Sequence, residues 1–133
     1  MEETIFTKIV KGEIPCYKIA ENDKFFAFLD ISPLTKGHTL VITKQQNDYI
    51  FDLDDNTLAE MSVFAKKIAV AMKKVIPCER IGVAVIGIDV PHNHIHLVPI
   101  NGGSDLNFSN PRVQLSKEEF AETANIIANA LED

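Results

Sequence analysis

Three of the four histidines of the chain, His92, His94 and His96, stand at alternate positions in a run that is otherwise mostly apolar. Side chains alternate between the two faces of a β-strand, so this spacing predicts a strand with three imidazoles on one face. Each buried imidazole keeps one donor and one acceptor that must find partners. The pattern therefore predicts a sheet whose histidine-bearing face binds a ligand.

Metal binding, a structural or pH-sensing role, and chemistry on an anion would each use histidines. One zinc ion would hardly reach all three, because a strand rising about 3.3 Å per residue separates the outer Cα atoms by roughly 13 Å. No cysteine lies near them, and Asp89 is the one close carboxylate. Imidazole is a nucleophile when neutral and a proton donor when charged near pH 7, which favours anion chemistry. We therefore predict no metal and no cofactor.

The apolar periodicity predicts a single α+β domain over residues 1–133. We expect a mostly antiparallel sheet of about five strands, with 80–87 and 92–100 adjacent in its middle and the helices packed on one side. The predicted strands are 17–20, 25–30, 37–43, 80–87 and 92–100. The predicted helices are a short one at 5–10, a long one from Asp54 to near Pro77, and a C-terminal helix that starts at the capping-box pattern Ser116 to Glu119.

Composition excludes several classes of partner. With 13 Lys+Arg against 19 Asp+Glu, the net charge is -6 and the basic residues are scattered, so no nucleic-acid-binding face is expected. No apolar stretch reaches the roughly 18 residues of a membrane span, and the acidic first residues do not resemble a signal peptide. Cys16 and Cys78 are isolated, which indicates free thiols in a reducing compartment. We expect a cytoplasmic protein.

Segment 92–98, His-Asn-His-Ile-His-Leu-Val, resembles the motif of the histidine triad superfamily. The lead-in 87–92 resembles the usual approach to that motif. The upstream segments 5–15, 27–33 and 37–42 resemble the N-terminal half of the nucleoside-phosphoramidase branch, also called the histidine triad nucleotide-binding branch. The resemblance implies that superfamily's fold and a hydrolase of purine nucleoside phosphoramidates or related nucleoside monophosphate derivatives. A dinucleoside polyphosphate hydrolase and a non-catalytic nucleotide-binding or scaffolding protein are the alternatives.

The resemblance also assigns a role to each histidine of the motif. His94 would attack the α-phosphorus and give a nucleotidyl-histidine intermediate that water hydrolyses, which replaces one difficult displacement by two easier ones. His96 would contact the phosphoryl or leaving-group oxygen, and His92 would position the other two.

Further residues are expected, on the same resemblance, to bind the nucleotide. Asp30 matches the acidic residue that holds ribose hydroxyls, a task that suits a carboxylate. His38 matches a recurrent histidine that supports the triad, and the main chain at Asp89 and Val90 would hold phosphate through N–H groups. Four apolar side chains would wall the base pocket: Phe6, Ile9, Phe28 and Leu29.

The chain departs from the pattern of this branch at several positions. Ile88 replaces a common Gln, Asn93 replaces an apolar residue, and no Asn is evident on the preceding strand. Ile100 stands where many bacterial relatives have Arg. Thr4 and Thr7 occupy the positions of a Cys pair that binds structural zinc in some members, so no zinc is expected there.

A homodimer is expected, mostly from the resemblance, because similar proteins pair through the long helix and its neighbouring strand. Segments 54–75 and 80–87 are also more apolar than one exposed face requires. A two-fold interface would close a bare sheet edge. Met61, Phe64 and Met72 are candidate contacts, although each could face its own core.

Overall fold

A five-stranded sheet forms the centre of the computed structural model, which describes residues 2–131. Its strands are β1 (Lys18–Glu21), β2 (Phe25–Leu29), β3 (Thr39–Thr43), β4 (Arg80–Ala84) and β5 (His94–Ile100), and its α-helices are α1 (Ile5–Val10), α2 (Asp55–Val75) and α3 (Lys117–Asn129). The strand order is β1-β2-β3-β5-β4, and every neighbouring pair is antiparallel. The predicted α+β class and the sheet of about five strands are confirmed.

Helices α2 and α3 begin where their capping residues predict. The side chain of Asp54 accepts a hydrogen bond from the Thr57 N–H at the start of α2. Ser116 and Glu119 form a reciprocal capping box at the start of α3. These bonds satisfy N–H groups that the first helical turn leaves without an internal partner.

The larger hydrophobic core lies between the sheet and helices α2 and α3. Alternate strand residues, among them Phe25, Val41 and Leu97, face this core. Six side chains of α2 are also buried in it, and Met61, Phe64 and Met72 are among them. The sequence left open whether Met61, Phe64 and Met72 are dimer contacts or core residues, and the structure favours the core of their own chain.

Helix α1 packs against the opposite face of the sheet, where a smaller core forms. Phe6 and Ile9 of α1 contact the apolar residues of β2 and β3 that alternate with those of the larger core: Phe26, Phe28, Leu40 and Ile42. The prediction that all helices pack on one side of the sheet is therefore wrong. Both faces of β2 and β3 are covered, which explains why every residue of these two strands is buried.

Two predictions about the last strands are wrong in detail. Strand β4 pairs only with β5 and forms an edge of the sheet rather than part of its middle. Strand β5 starts at His94, because the His92 N–H donates to the Val90 carbonyl at 2.8 Å and closes a turn before the strand. Gly87, three residues before this turn, has φ +72°, a left-handed conformation that glycine adopts without a steric penalty.

No helix within residues 2–131 combines the length and apolar character needed to cross a membrane.

Candidate active site

The side chains of His94 and His96 project from β5 onto the α1 side of the sheet. Their ring centroids are 4.9 Å apart. In the antiparallel register with β3, His94 lies opposite Ile42 and His96 opposite Leu40, both members of the smaller core. The Phe6 ring meets His94 edge-on with a centroid distance of 5.0 Å. Helix α1 thus covers the central histidine of the motif.

His92 lies outside the strand, and its ring is bound at both nitrogen atoms. Nε2 is 2.7 Å from the main-chain oxygen of Thr43, and Nδ1 is 2.8 Å from the hydroxyl of Thr4. A carbonyl oxygen only accepts, so Nε2 carries the hydrogen. Burial lowers the pKa of His92, which favours the neutral ring, with Nδ1 accepting from Thr4.

His94 has its ring oriented by the main chain of its neighbour in the motif. Its Nδ1 lies 2.7 Å from the main-chain oxygen of His92, so Nδ1–H donates to that carbonyl. In the neutral ring, Nε2 then carries the lone pair. His94 borders the main cavity on this face, and a neutral imidazole with a free Nε2 is the form that can act as a nucleophile.

His38 and His96 form a buried hydrogen-bonded pair. Nδ1 of His38 accepts from the Leu34 N–H at 3.0 Å, and the other nitrogen of His38, Nε2, lies 3.0 Å from Nδ1 of His96. In the neutral pair, His38 therefore donates to His96, and Nε2 of His96 keeps its hydrogen. Burial is the main cause that lowers the pKa of His38 to about 3 and that of His96 to about 4. Both rings are neutral near pH 7, and His96 offers an N–H donor.

Asp30 lies beside this pair. Its Oδ1 accepts from the Ser32 N–H at 2.8 Å, and its Oδ2 is 3.6 Å from Nε2 of His38. Burial raises the pKa of Asp30, although the Ser32 bond opposes the shift. One ligand atom each from Asp30, His38 and His96 lies within 4.8 Å of the others, a spacing that would suit a metal ion. However, the two facing histidine nitrogens already satisfy each other, so the arrangement is complete without an ion.

A cavity of about 680 Å³ opens in front of the histidines, a size typical of sites for small molecules. Of the residues predicted to contact the nucleotide or its phosphate, the structure places nine on this cavity: Phe6, Ile9, Phe28, Leu29, Asp30, Asp89, Val90, His94 and His96. His38 and His92 are not among the residues that line the cavity. His38 is hydrogen-bonded to His96, and the main-chain oxygen of His92 accepts from His94. Leu29 borders the cavity, but its side chain belongs to the larger core on the opposite face.

Among the cavity residues that the sequence did not predict, Phe108 and Arg112 contact the histidine end of the site. The Phe108 ring packs edge-on against His96 with a centroid distance of 4.7 Å. The guanidinium of Arg112 lies over Phe108 and donates to the main-chain oxygens of Ser32 and Phe108. Arg112 is the one Arg or Lys side chain among the cavity residues in the described part of the chain. Both residues lie in the polar, turn-rich loop between β5 and α3. The hydrogen bond from Arg112 to the Ser32 carbonyl holds this loop at the site.

Asn93, which departs from the apolar pattern, links β3 to the loop that follows it. Its side-chain amide donates to the Thr43 hydroxyl at 2.9 Å and to the Asn47 carbonyl at 3.0 Å. Its N–H donates to the same carbonyl at 2.7 Å. The polar residue at position 93, where the motif has an apolar one, therefore connects the start of β5 to β3 and its following loop.

Comparison with known proteins gives matches over nearly the whole chain. Residues 11–102 match the HIT domain family. An uncharacterized HIT-like protein of Borreliella burgdorferi is 36% identical over 131 residues, covering 92% of this chain and 94% of the relative. Adenosine 5'-monophosphoramidase hnt1 of Schizosaccharomyces pombe is 35% identical over 133 residues, covering 96% and 97%. A crystal structure of a Hit-like protein involved in cell-cycle regulation from Bartonella henselae has a TM-score of 0.85 and 34% identity, covering 97% and 96%.

Proposed function

This chain belongs to the HIT domain family, and from that premise we propose that it is a hydrolase of nucleoside monophosphate derivatives. The reaction breaks the bond between the α-phosphorus and an amine or related leaving group, with purine nucleoside phosphoramidates as the preferred substrates. The name of the Schizosaccharomyces pombe relative supports this choice of substrate class. The observation that carries the proposal is the His94 Nδ1–H bond to the His92 carbonyl, which leaves Nε2 of His94 as the nucleophile.

In the first step, the Nε2 lone pair of His94 forms a bond to the α-phosphorus. The bond to the leaving group breaks, and its electron pair goes to the departing atom, which takes a proton from solvent. The modified His94 ring is cationic and keeps its Nδ1–H, which the His92 carbonyl stabilises at 2.7 Å. In the second step, water attacks the phosphorus, loses a proton to solvent, and the electron pair of the P–N bond returns to Nε2.

His96 stabilises this reaction through its Nε2–H. Because the ring is neutral near pH 7, it has one hydrogen to offer, and loss of that hydrogen would create an unfavourable imidazolate. We therefore assign His96 as a hydrogen-bond donor to the phosphoryl or leaving-group oxygen or nitrogen rather than as a full proton donor. His38 supports it by donating to Nδ1. The N–H groups of Asp89 and Val90 are further donors for the phosphoryl oxygens, since within residues 2–131 neither bonds a main-chain carbonyl.

The nucleoside occupies the cavity between α1 and the turn that precedes the motif. Phe6, Ile9 and Phe28 supply apolar walls for the base, and the Asp30 carboxylate accepts from the ribose hydroxyls. Arg112 adds positive charge at the His96 end of the cavity. This charge contributes to the lowered pKa values of His96 and His38.

We also propose that two copies of the chain form a homodimer through the β4 edge. Edge strand β4 and the residues that follow it expose large apolar side chains: Val83 at 61%, Val85 at 41% and Ile86 at 53%. Helix α2 exposes Val63 and Val70. A bare edge of this kind favours pairing, and a two-fold contact closes it.

A single-turnover experiment tests the enzymatic proposal. An adenosine phosphoramidate and a diadenosine polyphosphate are each mixed with excess protein and quenched at intervals, and the protein is digested for mass spectrometry. We expect faster cleavage of the phosphoramidate and an adenylyl group on the peptide that contains His94. Faster cleavage of the polyphosphate would favour the dinucleoside polyphosphate hydrolase. Binding without cleavage of either compound would reject enzymatic activity and favour a nucleotide-binding or scaffolding protein.

A further inference from the structure

Four side chains from three separate parts of the chain meet around the His92 ring. Thr4 and Thr7 come from the start of α1, Gln46 from the loop after β3, and His92 from the turn before β5. The Thr4 hydroxyl lies 2.8 Å and the Thr7 hydroxyl 3.5 Å from Nδ1 of His92. The Gln46 side-chain oxygen accepts from the Thr7 hydroxyl at 2.6 Å and from the Thr4 N–H at 2.9 Å. We call Thr4, Thr7, Gln46 and His92 the N-terminal network.

The direction of each hydrogen bond in this network follows from groups that only accept. The Thr43 carbonyl takes the Nε2–H of His92, so Nδ1 of the neutral ring must accept. Gln46 accepts through Oε1, while its amide nitrogen donates to the main-chain oxygen of Glu2 at 2.8 Å. The Thr7 hydroxyl therefore donates to Gln46. The Thr4 hydroxyl has two acceptors in reach, the Thr7 hydroxyl at 3.3 Å and Nδ1 of His92 at 2.8 Å, and we assign its one hydrogen to the nearer, His92. Every member of the network then has a complementary partner.

The same residues do not fit the structural zinc that some histidine triad proteins bind at the positions of Thr4 and Thr7. Zinc sites in proteins use thiolate, imidazole and carboxylate ligands, and neutral hydroxyl and amide groups are poor substitutes. His92 is the one strong ligand of the four, and its Nδ1 already has a hydrogen-bond partner. In this chain, hydrogen bonds join the start of α1, the loop after β3 and the turn before β5.

We propose that Thr4 is a positioning residue, which holds His92 in its neutral Nε2–H form and so places the His92 carbonyl that orients His94. Residue 92 is fixed at its N–H by Val90, at Nε2 by Thr43 and at Nδ1 by Thr4. Its carbonyl is then held where it accepts from Nδ1 of His94. The effect on turnover rests on the proposed function, whereas the effect on the rings does not.

A purely structural role for Thr4 must be separated from this positioning role. Thr4 is also the N-cap of α1, because its side-chain oxygen accepts from the Thr7 N–H at 3.1 Å. Thr4→Ser keeps both the cap and the hydroxyl donor. Thr4→Asp keeps the cap but has no hydrogen to donate, and its carboxylate favours a proton on Nδ1 of His92. Thr4→Val removes both functions.

Thr123→Val is the matched control. Thr123 is also buried, and its hydroxyl donates to the Glu119 carbonyl within α3, on the opposite face of the sheet. Removal of this hydroxyl is the same chemical change at a buried site outside the N-terminal network.

The test combines ring ¹⁵N NMR of histidine-labelled protein with steady-state kinetics on an adenosine phosphoramidate. In the wild type and in Thr4→Ser, we expect an unprotonated Nδ1 at His92 and an unprotonated Nε2 at His94. Thr4→Asp should protonate Nδ1 of His92, and Thr4→Val should shift the Nδ1 signals of His92 and His94, because Nδ1 of His92 loses its donor and the His92 carbonyl is held less firmly against His94. Both should lower kcat about tenfold with little change in KM, since one hydrogen bond that orients a reacting group is lost. Thr123→Val should leave both readouts unchanged.

Several outcomes would overturn the proposal. Wild-type ring signals and turnover in both Thr4→Asp and Thr4→Val would do so, as would an equal loss of turnover in Thr123→Val. If Thr4→Val fails to fold, Thr4→Asp decides, because it retains the cap. Stoichiometric zinc in the purified wild type, whose removal by a chelator changed the His92 signals, would also reject the network. Altered rings in a chain that cleaves none of the substrates would reject the proposed function and leave the positioning role standing.

Discussion

Main-chain groups orient three of the four histidines at the site. The Leu34 N–H fixes His38, the Thr43 carbonyl fixes His92, and the His92 carbonyl fixes His94, while His96 takes its orientation from His38. Main-chain N–H groups only donate and main-chain carbonyls only accept, so these contacts set the tautomer of each neutral ring, whereas burial and charged neighbours shift the pKa values. The assignment of donor and acceptor roles therefore follows from the fold, and no charged side chain has to impose it.

Replacement of His94 by Asn removes the proposed nucleophile and leaves a polar side chain. We expect kcat to fall more than about a hundredfold, because loss of a covalent nucleophile usually costs several orders of magnitude. Binding of a non-hydrolysable nucleotide and the Tm should stay close to wild type. Residual turnover above that level would reject nucleophilic catalysis by His94.

Arg112→Gln tests the cation at the cavity. We expect kcat/KM to fall about tenfold, since a charge-assisted hydrogen bond to a phosphoryl oxygen is stronger than a neutral one. Arg80→Gln, at the exposed start of β4 and outside the cavity, is the matched control and should retain kcat/KM. If the two variants lose activity equally, Arg112 has no specific role in binding the anion.

At the scale of elements, the sequence correctly predicted the helices whose signals lie in nearby residues. The caps at Asp54 and Ser116 and the apolar periodicity located α2 and α3 because these signals lie within each helix. The edge position of β4 was missed, since the order of strands depends on pairing between distant segments. Arg112 was missed for the same reason, because its bond to Ser32 joins residues far apart in the chain.

The exposed edge of β4 gives a test of the proposed homodimer. We expect light scattering of the wild type at micromolar concentration to give about twice 14.8 kDa, and Val83→Glu to give the monomer mass. A charge at the centre of a paired edge would be buried without a partner. Ile126→Glu, on the exposed side of α3, is the control and should not change the mass. A monomeric wild type at high concentration would reject the dimer.

For the whole molecule, the buried histidines make stability depend on pH. The pKa values of His38 and His96, about 3 and about 4, lie below the ordinary value of 6.5, so the unfolded chain binds more protons between these limits. The free energy of unfolding should therefore fall as the pH is lowered from 7 to 5, by on the order of 2 kcal/mol for each histidine. Asp30, whose pKa is raised, acts in the opposite direction.

Urea unfolding at the two pH values measures this difference. His38→Asn removes one of the buried titrating histidines, and we expect a smaller difference between pH 7 and pH 5 in that variant. Equal free energies of unfolding at both pH values in the wild type would contradict neutral burial of the pair.

The unequal division of apolar residues between the two faces of the sheet has a consequence for ligand exchange. Helix α1 has six residues and packs on the smaller core, so we expect its detachment to cost less free energy than that of α2 or α3. When α1 detaches, Phe6 leaves the cavity wall and Thr4 leaves His92. The state that opens widest for a departing product is thus also the state in which the His92 ring is released. Departure and reaction would then exclude each other in time, and the residence time of a product would report how often this short helix opens.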